Sequence, residues 1–297
     1  MKRAFIYIIA ILSLALGCRA ADGDLFPYPK PTDDMTGLTE RCDFLVSKFW
    51  NHCNFKGALS KKEKFNSTFG DWISFMPFAT ADTVHAAIAR VIKQVEKSGD
   101  QTLEMARMAR NWTHCDTAQY FSDEIFLPFA KAAATNKKVP AAERKYFARE
   151  VQIIENTQTG HIVGHLDFIT PRGTKSSLDD IHTQMIVIFF NENDCSDCSL
   201  ARIRLSADIN ATALIKAGIL TVMCITPGAA TEEWKAEAAS YPSDWVVGAS
   251  ETAADYFSLR EKPSIYLLDS RHKLLIKDTN INGLLGSLTL LRQNAGI

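Results

Sequence analysis

The segment that most limits what this chain can become is Met185-Ile-Val-Ile-Phe-Phe190, followed after four polar residues by Cys195-Ser-Asp-Cys198. Six consecutive apolar residues, β-branched and aromatic, predict a short strand buried on both faces, the situation of a sheet interior. Beyond the cysteines, Leu200, Ile203 and Leu205 alternate with Arg202 and Arg204, which predicts an amphipathic helix running to about Ala217. The two cysteines therefore fall where a strand turns into a helix. Free backbone N–H groups and the helix dipole favour a thiolate there, so Cys195 is a candidate nucleophile and Cys198 the thiol that resolves its mixed disulfide. Two other readings stay open, a merely structural disulfide and half of a zinc site. Zinc needs a second Cys/His pair at matching spacing, whereas His161, His165, His182 and His272 stand singly, so no metal site is expected.

A chain of 297 residues is long enough for two domains, each with its own core. Its net charge of −1 argues against nucleic acid or an acidic lipid surface as partner. Lys2 and Arg3 precede an apolar run from Ala4 to Gly17, the order of an export signal over residues 1–20. Leu14-Ala-Leu-Gly-Cys18 resembles a bacterial lipobox, with Cys18 the residue that would be lipidated and anchor the protein to a membrane; ordinary signal cleavage is the rival reading. Residues 21–37 carry Pro27, Pro29 and Pro31 and predict an extended tether.

Residues 38–158 show helical spacing, as in Val84, Ala87, Ile88, Val91, Ile92 and Val95, with helix ends marked by Ser60, Pro77, Ser98, Pro128 and Pro140. An all-helical domain of about six helices follows. Its aromatic residues, among them Trp50, Phe55, Trp72, Trp112, Phe126 and Phe129, fall at core spacing, so packing outweighs a ligand box. Cys42 and Cys53, if on one helix, would lie ~16 Å apart and could not pair with each other. Pairing with Cys115, free buried thiols, and a metal site built from His52-Cys53 and His114-Cys115 remain alternatives.

From residue 159 to 297 strand and helix patterns alternate. Strands are expected at Leu220–Thr226, Trp245–Ala249, Ser264–Leu268 and His272–Lys277, and helices at Thr231–Ser240, Glu251–Phe257 and Ile281–Gln293. Gly160 to Thr170 alternates, and Pro171 to Ile181 reads as a turn and polar passage.

This order, with Pro263 directly before a β-hairpin and a last helix, resembles the thioredoxin fold. Gly164-His-Leu-Asp-Phe is similar to the start of the extracytoplasmic thiol-disulfide oxidoreductases of cytochrome-maturation type. Asn191-Glu-Asn-Asp-Cys-Ser-Asp-Cys198, Glu232-Glu-Trp234 and Ser243-Asp-Trp-Val-Val-Gly248 are closer still to exported proteins of Gram-negative bacteria that carry a helical domain of unknown function ahead of a thioredoxin-like one. The resemblance implies a two-domain α+β chain, an all-helical domain followed by a thioredoxin-like α/β domain with a central mixed sheet flanked by helices. It implies a cis Pro263 against the dithiol of Cys195 and Cys198, no cofactor, protein or peptide disulfides as substrates, an upstream thiol as electron donor, and a periplasmic or outer-membrane-anchored location. A catalytically inert binding or assembly module on the same fold is the alternative. The sequence departs from the family in having Asp194 before the dithiol and Ser196-Asp197 inside it, and no evident buried proton-shuttling carboxylate. Asp194, Asp197 and Glu192 should raise the Cys195 pKa and Lys262 oppose them, leaving a reductant or slow exchanger.

Overall fold

The structure, a computed structural model, describes residues 25–192 and 194–297. The expected export signal over 1–20, Cys18 included, lies outside the described residues. Two compact units divide the chain, residues 1–148 and 149–297.

Among the described residues the first unit is helical: α1 (Leu38–Lys48), α2 (Phe55–Ala58), α3 (Lys62–Phe75), α4 (Ala81–Val95), α5 (Gly99–Thr113), α6 (Asp123–Thr135) and α7 (Ala141–Asn156), whose last residues belong to the second unit. Ser98 and Ser122 cap α5 and α6 by accepting the backbone N–H groups of Gln101 and Ile125. Pro128 does not end a helix but lies inside α6. Its missing N–H would have met the carbonyl of Glu124, an exposed residue in the first turn, where water can satisfy that oxygen.

The aromatic residues form the core. Trp50 packs against Phe26 at 5.5 Å, Phe65 at 5.3 Å and Trp72 at 5.5 Å between ring centroids, and Trp72 Nε1 donates to the Val46 carbonyl. Gly70 is required by Trp112, since a Cβ there would stand 2.3 Å from the indole ring. The proline-rich stretch is not wholly a free tether: Phe26 is buried against Phe49 and Trp50, and the Tyr28 hydroxyl donates to Asp71 at 2.8 Å. Helix α1 ends at Lys48, so Cys42 and Cys53 do not share a helix; with Cys115 they are free thiols, and burial pushes Cys53 up to about 12. Among the described residues no three His, Cys, Asp or Glu side chains gather as metal ligands, so the His52-Cys53 and His114-Cys115 pairs do not combine into a site. His114 instead bonds Asp123 at 2.9 Å and stacks on Phe126.

The second unit is built on a seven-stranded mixed sheet of order β2-β1-β5-β4-β3-β6-β7. Its strands are β1 (Asp167–Ile169), β2 (Lys175–Ser177), β3 (Met185–Phe190), β4 (Leu220–Pro227), β5 (Val246–Ser250), β6 (Ser264–Asp269) and β7 (Leu274–Ile276). Its helices are α8 (Ser196–Ser206), α9 (Ile209–Lys216), α10 (Glu232–Ala238), α11 (Ala253–Tyr256) and α12 (Ile281–Ala295). β3 runs parallel to β4 and antiparallel to β6, which explains its unbroken apolar run: Val187 and Phe189 enter one core with Leu205, Leu214, Leu284 and Leu288, while Ile186, Ile188 and Phe190 enter another with Phe168, Phe257 and Tyr266.

Three expectations change here. The long helix after the cysteines breaks at Ala207-Asp208, because the Asp208 carboxylate caps a second helix by accepting from Asn210 and Ala211. Leu200 and Ile203 are not on the buried stripe; they are 58% and 60% exposed, and Cys198, Ala201 and Leu205 face the core instead. The polar passage after Pro171 contains β2, which pairs with β1 and leads into a 3-10 turn closed by Ser177 and Asp180.

Candidate functional site

β3 delivers the chain to the dithiol. Beyond Phe190, Asn191 is still held by the Ile225 carbonyl, and Asp194 turns the backbone through φ 56°, a left-handed conformation that Asp adopts more readily than most residues. Cys195 is the N-cap of α8, and its sulfur accepts the Cys198 backbone N–H at 3.1 Å. The same N–H would hold a Cys195 thiolate in the reduced protein, in line with the helix-start argument. Here the two sulfurs are joined as a disulfide. Their surroundings are unequal: Cys198 is fully buried, Cys195 only partly, and Asp194, Ser196 and Asp197 around it are exposed.

Pro263 stands at the same end of the sheet. The antiparallel register opposes Phe190 to Ser264, so the residue before Ser264 flanks the loop that follows Phe190. The Lys262–Pro263 peptide is cis. Lys262 Nζ meets Glu192 Oε2 at 2.6 Å, tying the loop ahead of the dithiol to the segment ahead of β6. Asp194, Cys195, Asp197, Cys198, Lys262 and Pro263 are thus grouped at one end of two adjacent strands. The charge balance differs from the one drawn by sequence proximity, because Glu192 and Lys262 neutralise each other. Nearby, burial raises the Glu261 carboxyl, with Asp278 adding to the effect and Arg260 opposing it.

Beneath this end lies a polar cluster that sequence reasoning did not find. Asn191, 1% exposed, donates through Nδ2 to the Tyr241 hydroxyl at 3.0 Å, and that hydroxyl donates to Glu237 Oε1 at 2.8 Å. The Arg202 guanidinium lies over the Tyr241 ring, 3.9 Å from its centroid, and 3.8 Å from Glu237. Burial raises the Tyr241 phenol, and the Cys224 thiol on β4 is pushed up to about 12 by burial, with Arg202 easing and Glu237 reinforcing that shift. Two signals were available: Arg202's place four residues after Cys198, one helical turn on the same side of α8, and the four-residue spacing of Glu237 and Tyr241. Nothing in the position of Asn191 announces that it meets them.

Residues 19–157 match a family model described as a domain of unknown function, DUF5106. No curated protein matches the chain significantly. Among solved structures it is similar to a thioredoxin-like protein from Bacteroides caccae, 19% identical, covering 89% of this chain and 98% of that one at a TM-score of 0.75. A conserved protein of unknown function from Bacteroides fragilis is 29% identical, covering 44% of this chain and 98% of its own at a TM-score of 0.41. The thioredoxin domain of a thiol-disulfide oxidoreductase from Bacteroides vulgatus is 22% identical, covering 45% and 97% at 0.38. The likeness to the Bacteroides caccae protein, at 19% identity, shows the fold and leaves activity to the site itself. The chain joins a helical DUF5106 domain to a domain of thioredoxin-like fold.

Proposed function

We propose that the protein is an extracytoplasmic thiol-disulfide oxidoreductase that reduces or exchanges disulfides in exported proteins. Reduced Cys195 attacks a substrate disulfide as a thiolate, forming a mixed disulfide and expelling one substrate thiolate, which takes a proton from water. Cys198, deprotonated, then attacks the Cys195 sulfur, closes the Cys195–Cys198 disulfide and releases the second substrate thiol. Two electrons pass from the dithiol to the substrate, and an upstream thiol donor must restore them. Pro263 and the Lys262 backbone offer the substrate chain an edge to pair with during attack.

The observation that carries this reading is the unequal burial of the two sulfurs beside Pro263. An attacking thiol must be reachable, and a resolving thiol must be shielded from competing disulfides. The test is reduction of insulin by the wild type and by Cys195→Ser with dithiothreitol as donor. The wild type should accelerate insulin precipitation well above the dithiothreitol background, and the variant should fall to that background. Equal rates for the two proteins overturn the proposal and favour the inert module. Export and anchoring through Cys18 form part of the same reading; incorporation of labelled palmitate that disappears in Cys18→Ser supports it, and unlabelled wild type removes it.

A further inference from the structure

We propose that Arg202 sets the acidity of the reduced dithiol from beneath, with Glu237 as its opposing charge. This rests on the reading that Cys195 and Cys198 cycle between disulfide and dithiol.

Arg202 is placed for the task by two independent routes. Along α8 it follows Cys198 by four residues, and helical side chains lean toward the N-terminus, here toward the cysteines. Across the fold its guanidinium covers the Tyr241 ring, whose hydroxyl is bonded to Asn191, the residue that leaves β3 for the dithiol loop. Its bonding is unusual for a cation only 16% exposed at the side chain: Nε is buried without a hydrogen-bond partner, and the contact with Glu237 Oε1, at 3.8 Å, is longer than a hydrogen bond. The charge is held against an aromatic face, with the Glu237 carboxylate at ion-pair distance beside it.

In the disulfide state the Glu237 carboxylate stands beside it and the two sulfurs carry no charge. Reduction by a dithiol donor delivers two electrons and two protons to the sulfurs, and loss of one proton to water leaves a thiolate at Cys195. A fixed cation nearby stabilises that thiolate, and the Glu237 carboxylate destabilises it. The other charged or titratable groups of the dithiol loop, the segment ahead of β6 and the buried cluster are Glu192, matched by Lys262; exposed Asp194 and Asp197; Glu261; Arg260, paired with Asp278; and the neutral Cys224 thiol and Tyr241 phenol. Arg202 is a mostly buried positive charge on the helix that carries the cysteines, where water screens its field less than that of a surface group.

The experiment is the pH profile of Cys195 alkylation by iodoacetamide in the reduced full-length protein, read by peptide mass spectrometry. Arg202→Met should raise the midpoint by about 0.5 to 1 pH unit and Glu237→Gln should lower it by a similar amount, with Arg202→Lys staying within about 0.3 of wild type. A packing defect would move Arg202→Met and Glu237→Gln alike, so shifts of the same sign, or none in either, overturn the proposal. If Arg202→Met does not fold, Glu237→Gln decides it: a lowered midpoint supports the proposal, and one that stays or rises overturns it. The insulin assay keeps the two readings apart. Wild-type reductase activity with unmoved midpoints sinks this inference alone, and opposed shifts in a protein that does not reduce insulin sink the proposed function alone.

Discussion

Tyr241→Phe removes one oxygen from the buried cluster while keeping the ring on which Arg202 lies. That oxygen accepts from Asn191 Nδ2 and donates to Glu237 Oε1. Glu237, whose side chain is 39% exposed, can turn to water, so losing its donor costs little. Asn191 cannot: it is 1% exposed and its Oδ1 already lacks a partner, so the variant leaves both ends of the amide unpaired and no 180° turn of the amide restores a bond. Orphaning a buried donor costs about 1–3 kcal/mol, and a middle value of about 2 kcal/mol corresponds to roughly 30-fold in the opening equilibrium. The assay is hydrogen–deuterium exchange of the β3 amides of Val187, Ile188 and Phe189, all fully buried and released when this unit opens. Their exchange should quicken roughly 30-fold in Tyr241→Phe. In an Asn191→Ala background the same substitution should cost much less, because the group it orphans is already gone. Acceleration below about threefold, or equal effects in both backgrounds, would refute the reasoning.

Cys198→Ser should hold the reaction at the mixed disulfide, giving dithiothreitol-sensitive adducts of Cys195 on non-reducing gels; a clean monomer band under turnover would count against the assigned order of attack. Gly248→Ala on β5 would put a Cβ 2.3 Å from Phe168 Cδ2, and overpacking of this kind costs about 1–3 kcal/mol, visible as a lower urea midpoint that Phe168→Leu partly restores. Asp269 sits in the β6–β7 turn. Burial raises its carboxyl, but the backbone N–H groups of Lys273 and Arg271 at 2.9 and 2.8 Å outweigh that, with help from both side-chain charges, and hold it below the ordinary 3.8. A depressed carboxyl contributes fully above its ordinary value and loses the contribution as pH falls through the folded one. Wild type should therefore lose more thermal stability than Asp269→Asn between pH 7 and pH 2.5, and equal losses would remove the assignment.

Much of the architecture is local and so was readable in order. β3 was legible as Met185–Phe190 because a strand covered on both faces must be apolar throughout, and the Thr231 cap because its hydroxyl accepts the N–H of Trp234 three residues on. The six longer helices of the first unit follow from apolar spacing. What failed were features decided by competition between neighbours. Asp208 broke a helix that propensity would have continued, Pro128 was tolerated where the carbonyl it abandons belongs to an exposed first-turn residue, and Leu200 and Ile203 lost the core to Cys198, Ala201 and Leu205 because the buried side of α8 is set by how it lies on the sheet.

The sequence by itself determined the strand, the Cys195-Ser-Asp-Cys198 turn into a helix, and the proline that precedes β6, since each is written in contiguous residues. Only the tertiary structure decided which charges the dithiol experiences. Glu192 is adjacent in sequence but spoken for by Lys262, some seventy residues away, while Arg202, Tyr241, Glu237 and Asn191 come together from separate elements. Coulomb forces depend on distance through space and on burial, and neither can be counted along a chain.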